Sequence, residues 1–411
     1  MNWKGEAAQV LTFAVAPAVG ACLAVAALRV RLVARLSPRG FVLLAALLWV
    51  LTRPLLHVVV FHLFRYAGGH DLLDVWYPIA RTLREGGDPT ALVDNLYGPL
   101  FPYVLALGLF VGGGSYAPAI DVPFVAADAL ALVLLLRIAR RRLDEVLARR
   151  VLLFVLLSPL LWHGVIVRTQ DEPLFVLGLL AVQDLLDRRR EGAAALACAA
   201  GTLLTKALFP LWALPLLVAA DGDARARLVR VARAALATAA ALGVAVALGW
   251  DAGARVHPHL TARGSSAWVL FGDGTFPRGV FLAGVAVTAL GCVAAAGAAW
   301  RRRAVGDDDA GERAARGVVA VQAAFFVLCP FSLPPHLVHG LPWLGWRAVR
   351  RAADAAPREL LPLVPAVVLA AVQIPAVWLN AELWRDHAPL VVAFVAWCAW
   401  TGYDALATAR R

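Results

Sequence analysis

Two carboxylates and a histidine follow the second long apolar run of the chain, in Gly69-His70-Asp71-Leu72-Leu73-Asp74-Val75-Trp76-Tyr77-Pro78. An ionised carboxylate placed against a hydroxyl acts as a general base, so Asp71 or Asp74 could deprotonate an acceptor alcohol. A second acid nearby would raise the pKa of the first or help bind a cation. The Asp-x-x-Asp spacing allows a metal chelate without pointing to one. Plainer roles also fit: solvated loop acids, or N-caps of a following helix. Carboxylates where a membrane helix emerges are costly to desolvate, which favours a functional role.

Three further groups carry chemistry. Arg168-Thr169-Gln170-Asp171-Glu172-Pro173 joins two apolar runs. It reads either as a turn with a carboxylate N-cap or as a second acidic wall with Arg168 available for phosphate. Lys206 is one of only two lysines, the other being Lys4, and it sits inside an apolar stretch. It either snorkels to an interface or holds a phosphate-like anion. His336 and His339 lie in a Pro-rich break, three residues apart, roughly on one helical face. Two histidines alone support a metal weakly; hydrogen bonding to phosphate or sugar is as good a reading. Tyr77 and Tyr97 flank the acidic loop, where an interfacial aromatic belt is the simple explanation.

These residues must be positioned by membrane helices. Of 411 residues, 61% are hydrophobic and 16% charged, with mean hydropathy +0.72. Apolar runs recur at about 9–29, 41–62, 96–113, 118–136, 150–166, 172–187, 193–219, 230–249, 279–299, 316–333, 359–379 and 387–408. The expected fold class is an all-α polytopic membrane protein with roughly ten to twelve crossings. The first run is read as a retained span and not a cleaved leader. The formal charge of +11 resides in Arg clusters between the runs, such as Arg140-Arg141-Arg142 and Arg188-Arg189-Arg190. This reads as a topology signal, and nucleic acid is not an expected partner. The five cysteines are isolated, which argues against a CxxC metal site and a disulfide framework.

Arg-rich loops 30–40 and 137–150 both read as cytoplasmic, placing the acidic loop and the 168–172 turn on the opposite face. Two full crossings between 95 and 136 would break this parity. Run 96–113, short and containing Pro99 and Pro102, is the suspected re-entrant or interfacial piece. The acidic loop should continue as an amphipathic helix through Trp76, Tyr77, Ile79, Ala80 and Leu83, then break at Gly86-Gly87-Asp88-Pro89. Run 193–219 is either one tilted helix or two pieces, because Pro210 and Pro215 interrupt it.

The order of motifs resembles integral-membrane glycosyltransferases of the GT-C superfamily, especially those that use polyprenyl-phosphate mannose. Asp74-Val75-Trp76-Tyr77-Pro78-Ile79-Ala80-Arg81 is similar to that family's acidic first external loop. Tyr97-Gly98-Pro99-Leu100 is similar to its Tyr-x-Pro-Leu. The resemblance covers about residues 41–220 well and 260–345 loosely. It implies a single integral-membrane domain over 1–411, with an extra span in 1–40, a GT-C-like core module in 41–220 and variable helices in 221–411. It also implies a base at Asp74 or Asp71 on the non-cytoplasmic face of a cell membrane, and inverting transfer of a sugar, by family analogy mannose. The donor would be a polyprenyl-phosphate sugar and the acceptor a lipid or glycoconjugate. His70, Tyr77, Tyr97, Arg168, Gln170, Asp171, Glu172, Lys206, His336 and His339 would line the substrates. No cofactor is implied, though a divalent cation is compatible. The chain departs from the family at Asp-x-x-Asp, where Asp-x-Asp is common, and at Leu337, where a Tyr usually follows Pro-His. A transporter and a non-catalytic membrane protein are the competing readings. A transporter predicts inverted repeats, and the acidic loop has no counterpart in residues 210–411.

Overall fold

The computed structural model describes residues 11–64, 71–88, 97–167, 169–250, 259–261, 263–264, 268, 275–301, 310–332, 334–355, 364, 367–369, 371–372 and 388–407. The protein is an all-α polytopic membrane protein. Among the described residues, six helices are long and apolar enough to cross a bilayer: Pro38–Leu63, Ala117–Arg142, Glu145–Val167, Ala224–Ala247, Arg278–Arg301 and Pro389–Ala407. Four shorter apolar helices, Ala16–Ala27, Phe101–Val111, Glu191–Leu204 and Phe209–Ala219, accompany them. Among the described residues, strands are limited to two minimal pairings, His259–Thr261 with Thr275–Pro277 and Arg263–Gly264 with Phe331–Ser332.

The chain forms two compact units. The first comprises Met1–Leu180, Leu203–Thr205 and Ala348–Trp378; the second comprises Ala181–Thr202, Lys206–Arg347 and Leu379–Arg411.

Local signals start the helices of the first unit. Ser37 caps Pro38–Thr52 by accepting from the Gly40 N–H, with Pro38 at the first turn, where its missing N–H costs nothing. Asp144 accepts from the N–H groups of Val146 and Leu147 and opens Glu145–Leu157. The Arg ends of three long helices meet here. Arg149 donates to the carbonyls of Val33 and Leu36, pairs with Glu145 and lies over the Phe41 ring. Arg140 holds the same Glu145. The two Arg loops therefore lie together at one end of this unit.

Midway along, Arg53 is fully buried and paired with Asp128 at 2.9 Å. Its guanidinium also donates to Thr52 Oγ1 and the Leu156 carbonyl, and Trp49 Nε1 donates to the same carboxylate. A buried charge pair is tolerable when its donors and acceptors are satisfied in this way.

At the other end of the same helices, one apolar cluster joins Val60 and Phe61, Leu72, Trp76 and Ile79, Phe101 and Leu105, Ile120 and Phe124, and Val165 to Val167. Trp76 packs edge-on against Phe101 and Phe124, with ring centroids 5.5 and 5.3 Å away. Phe101–Val111 has eleven residues, a length of about 16 Å, roughly half of a bilayer core. It packs against the loop helix and the Ala117–Asp121 turn and stays at this end.

In the second unit, Ala310–Leu328 is the central helix. It packs against Phe209–Ala219, Arg278–Arg301 and Ala388–Ala407. Gly317 sits where an added Cβ would come within 2.7 Å of Pro215, so a small residue lets the helix backbones approach closely.

Candidate functional site

The acidic loop begins as a π-helical turn, Asp71–Trp76, and continues as the helix Tyr77–Arg84. Leu72, Trp76, Ile79 and Ala80 are buried; Asp74 and Arg81 are exposed. The apolar face therefore docks on the cluster described above and leaves Asp74 facing outward. The helix ends where Gly86 adopts φ +79°, a conformation that glycine takes without steric penalty. The backbone of Asp71 is described and its side chain is not; His70 and Arg168 lie outside the described residues. Tyr77 and Tyr97 both pack on the cluster, and Tyr97 stacks on Phe101 at 4.4 Å.

The second acidic group reaches the same end of the unit. Val167 belongs to the cluster that holds Leu72 and Trp76, and Leu174 packs against it. The turn between them folds back, with the Gln170 N–H donating to the Gly164 carbonyl and the Leu174 N–H to that of Asp171. Asp171 and Glu172 are buried and Gln170 half-buried. Thr169 is fully buried at φ +52°. A β-branched residue in that region is a real outlier costing about 1–3 kcal/mol, the kind of strain that concentrates at functional sites. The two acidic segments thus converge within one unit.

Two residues not singled out in the sequence share this end. Asp121 closes the turn Ala117–Asp121, against which Asp71–Trp76 packs. It is 1% exposed, and His57 Nδ1 lies 3.4 Å from its Oδ2. The Thr169 hydroxyl also faces it. Beside it Tyr116 meets His62 Nε2 at 3.1 Å, and burial, then the Asp121 charge, holds the phenol above its ordinary pKa. Asp121 was detectable by the rule that flagged Asp71, an acid at the end of an apolar run. His57 was not, because a histidine inside a run gives no sign of a partner 64 positions later.

The basic residues gather in the second unit. Lys206 is 8% exposed, His336 7% and His339 2%. The imidazoles stack at 5.4 Å; Trp212 meets His339 edge-on at 5.2 Å and Phe325 meets His336 at 5.6 Å. Burial first, then the Lys206 charge, pushes both histidines well below the usual imidazole pKa. The two imidazoles are therefore uncharged at neutral pH and sit beside Lys206, a set whose N–H groups can donate to an anionic oxygen. Gln322 donates to the Leu337 carbonyl and steadies the His-bearing turn. An added Cβ on Gly340 would strike the Gln322 amide, so a larger residue there would displace the side chain that holds the Leu337 carbonyl.

Lys206 stands 130 positions from His336 in the chain, yet these two and His339 form one group. The predicted residues therefore fall into two sets: Asp74, Tyr77, Tyr97, Gln170, Asp171 and Glu172 in the first unit, and Lys206, His336 and His339 in the second. No group of three or more His, Cys, Asp or Glu residues suited to a metal occurs among the described residues.

No family profile matches the chain, and no curated protein does.

Proposed function

We propose that the protein is an integral-membrane glycosyltransferase. It moves a sugar, by family analogy mannose, from a polyprenyl-phosphate donor to an acceptor hydroxyl on the non-cytoplasmic face, with inversion. The observation that carries this reading is the gathering of Lys206, His336 and His339 into one buried cluster. A polar group of this kind is expensive inside an apolar protein, and binding an anion would offset that cost.

In this reading Asp74 removes the acceptor proton as the oxygen attacks the anomeric carbon. The bond from that carbon to phosphate oxygen breaks, and the electron pair leaves with the polyprenyl phosphate. Within the second unit, Lys206 and the two imidazoles are the groups with the chemistry to stabilise charge on a lipid phosphate. Phosphate is a good leaving group, so one carboxylate suffices for proton chemistry, unlike glycoside hydrolysis. Asp171 and Glu172 would hydrogen-bond sugar or acceptor hydroxyls. Tyr77 and Tyr97 would bound the acceptor pocket from the loop side. A lipid-linked donor accounts for a transferase made almost wholly of membrane helices.

Binding of a labelled polyprenyl phosphate to the protein in lipid nanodiscs tests the anion site. Wild type should bind, and Lys206→Ala should bind about 10- to 100-fold more weakly, as loss of a charge-assisted hydrogen bond of roughly 1.5–3 kcal/mol requires. Equal binding by Lys206→Ala, His336→Ala and wild type would remove the phosphate from this cluster.

A further inference from the structure

The Arg-rich end of the first unit carries a patch of charge that has no counterweight. No acid occurs between Glu6 and Asp71, and within that stretch Arg31, Arg35 and Arg39 recur every four residues. Arg149 holds the segment from the protein side by donating to the carbonyls of Val33 and Leu36. Val33 is 2% exposed, Leu32 is 58% exposed, and the three arginines are exposed. The short turn Leu32–Arg35 is thus pinned to Glu145–Leu157 by its backbone, with its basic side chains turned outward. None of the three arginines pairs with an acid among the described residues. The two acids of the adjoining loop are already engaged: Asp144 caps its helix, and Glu145 is shared by Arg140 and Arg149.

An apolar track starts from the same patch. Arg39 stands in the first turn of Pro38–Thr52, and Leu43 and Leu47 follow it at helical spacing, 71% and 56% exposed. The span Pro38–Leu63 to which they belong is almost wholly uncovered by the rest of the protein. A membrane span with an open apolar face meets acyl chains along it, and its first turn lies at headgroup level. Cations at headgroup level above an apolar track match one ligand class, a lipid with an anionic phosphate head. A second copy of the chain would set arginine against arginine, and like charges oppose that contact.

We propose that Arg31, Arg35 and Arg39, with Leu43 and Leu47 beneath them, form a binding site for an anionic glycerophospholipid of the surrounding bilayer. The phosphate rests on the arginines, and one acyl chain runs along the two leucines. The site lies at the opposite end of the unit from the acidic loop and makes no use of the transfer reaction.

Titration of phosphatidylglycerol or phosphatidylcholine against the detergent-purified full chain, with bound lipid counted by native mass spectrometry, tests it. Wild type should bind phosphatidylglycerol the more tightly. Arg31→Gln/Arg35→Gln/Arg39→Gln should bind it about 100-fold more weakly, about fivefold for each arginine beside an anionic headgroup. Arg31→Lys/Arg35→Lys/Arg39→Lys should keep most of the affinity, because charge carries the attraction. Both variants should unfold at the wild-type Tm, since these side chains are exposed, so the loss reports the patch and not the fold. Equal phosphatidylglycerol binding by wild type and the Gln variant would overturn the site. Displacement of phosphatidylglycerol by an equal concentration of inorganic phosphate would assign the patch to free anions, and displacement by polyprenyl phosphate would assign it to the sugar donor. Either result would overturn it as a phospholipid site.

Discussion

At the scale of single residues, burial decides the charge state of the basic cluster. His336 and His339 have their pKa values lowered in the fold, first by burial and then by Lys206. The unfolded chain takes up these protons near pH 6.5 and the folded chain does so only at lower pH, so the unfolded state binds more protons in that window. Stability should be level above about pH 7 and fall as pH drops through about 6.5 toward the depressed folded values. Thermal unfolding in detergent should show Tm falling across pH 7 to 5. His336→Gln/His339→Gln should flatten that slope, and an equal slope in the variant would contradict the assignment. A second residue-scale prediction concerns Arg53, held by Asp128 within a satisfied network. Asp128→Ala strands a buried guanidinium and should cost about 3–5 kcal/mol. Arg53→Met/Asp128→Leu should recover most of this, seen as a regained Tm.

At the scale of elements, close approach positions the candidate site. Gly108 on Phe101–Val111 lies where a Cβ would come within 2.7 Å of the Ile120 backbone and 2.9 Å of the Ala119 carbonyl. Backbone cannot yield as a flexible side chain does. Gly108→Val should therefore cost about 1–3 kcal/mol by overpacking and displace the turn that carries Asp121. The expected outcome is a lower Tm with reduced transfer; a normal Tm and rate would show that the two elements are not held together as described.

Legibility differed among these elements for physical reasons. The amphipathic segment after Asp74 was readable, because its apolar residues recur at helical spacing and Gly86 ends it. For 193–219 the prolines left one tilted helix and two pieces both open, and the structure has two, Glu191–Leu204 and Phe209–Ala219. The helix stops at Leu204 because the carbonyls of Leu203 and Thr205 accept from Leu100 and Gly98 instead. Pro210 then falls in the first turn of Phe209–Ala219 and Pro215 is accommodated inside that helix. Long-range backbone bonds of this kind leave no local trace. The convergence of His57 on Asp121, and of Lys206 on His336, is likewise tertiary and invisible to spacing.

At the scale of the molecule, hydropathy alone established an all-α membrane protein, since no soluble fold needs so many apolar runs. The division into two compact units was not visible, because no linker of distinct composition separates segments that interleave along the chain. Within the first unit, Pro38–Leu63, Ala117–Arg142 and Glu145–Val167 run between an Arg-rich end and an acidic end. We infer from the Arg bias that the Arg-rich end is cytoplasmic. In a Cys22→Ser background, Asp88→Cys should react with an impermeant thiol reagent from the non-cytoplasmic side and Arg141→Cys should not; the opposite pattern would invert the proposed orientation.

The central claim is sugar transfer from a lipid phosphate. Its most direct test is transfer of radiolabelled mannose from polyprenyl-phosphate mannose to membrane acceptors by wild type, Asp74→Asn and Asp71→Asn. The account predicts transfer by wild type and a loss of about 100-fold or more in Asp74→Asn at normal abundance, the usual contribution of a general base. Absence of wild-type transfer from mannose, glucose and arabinose donors would contradict it, and so would full activity in both variants.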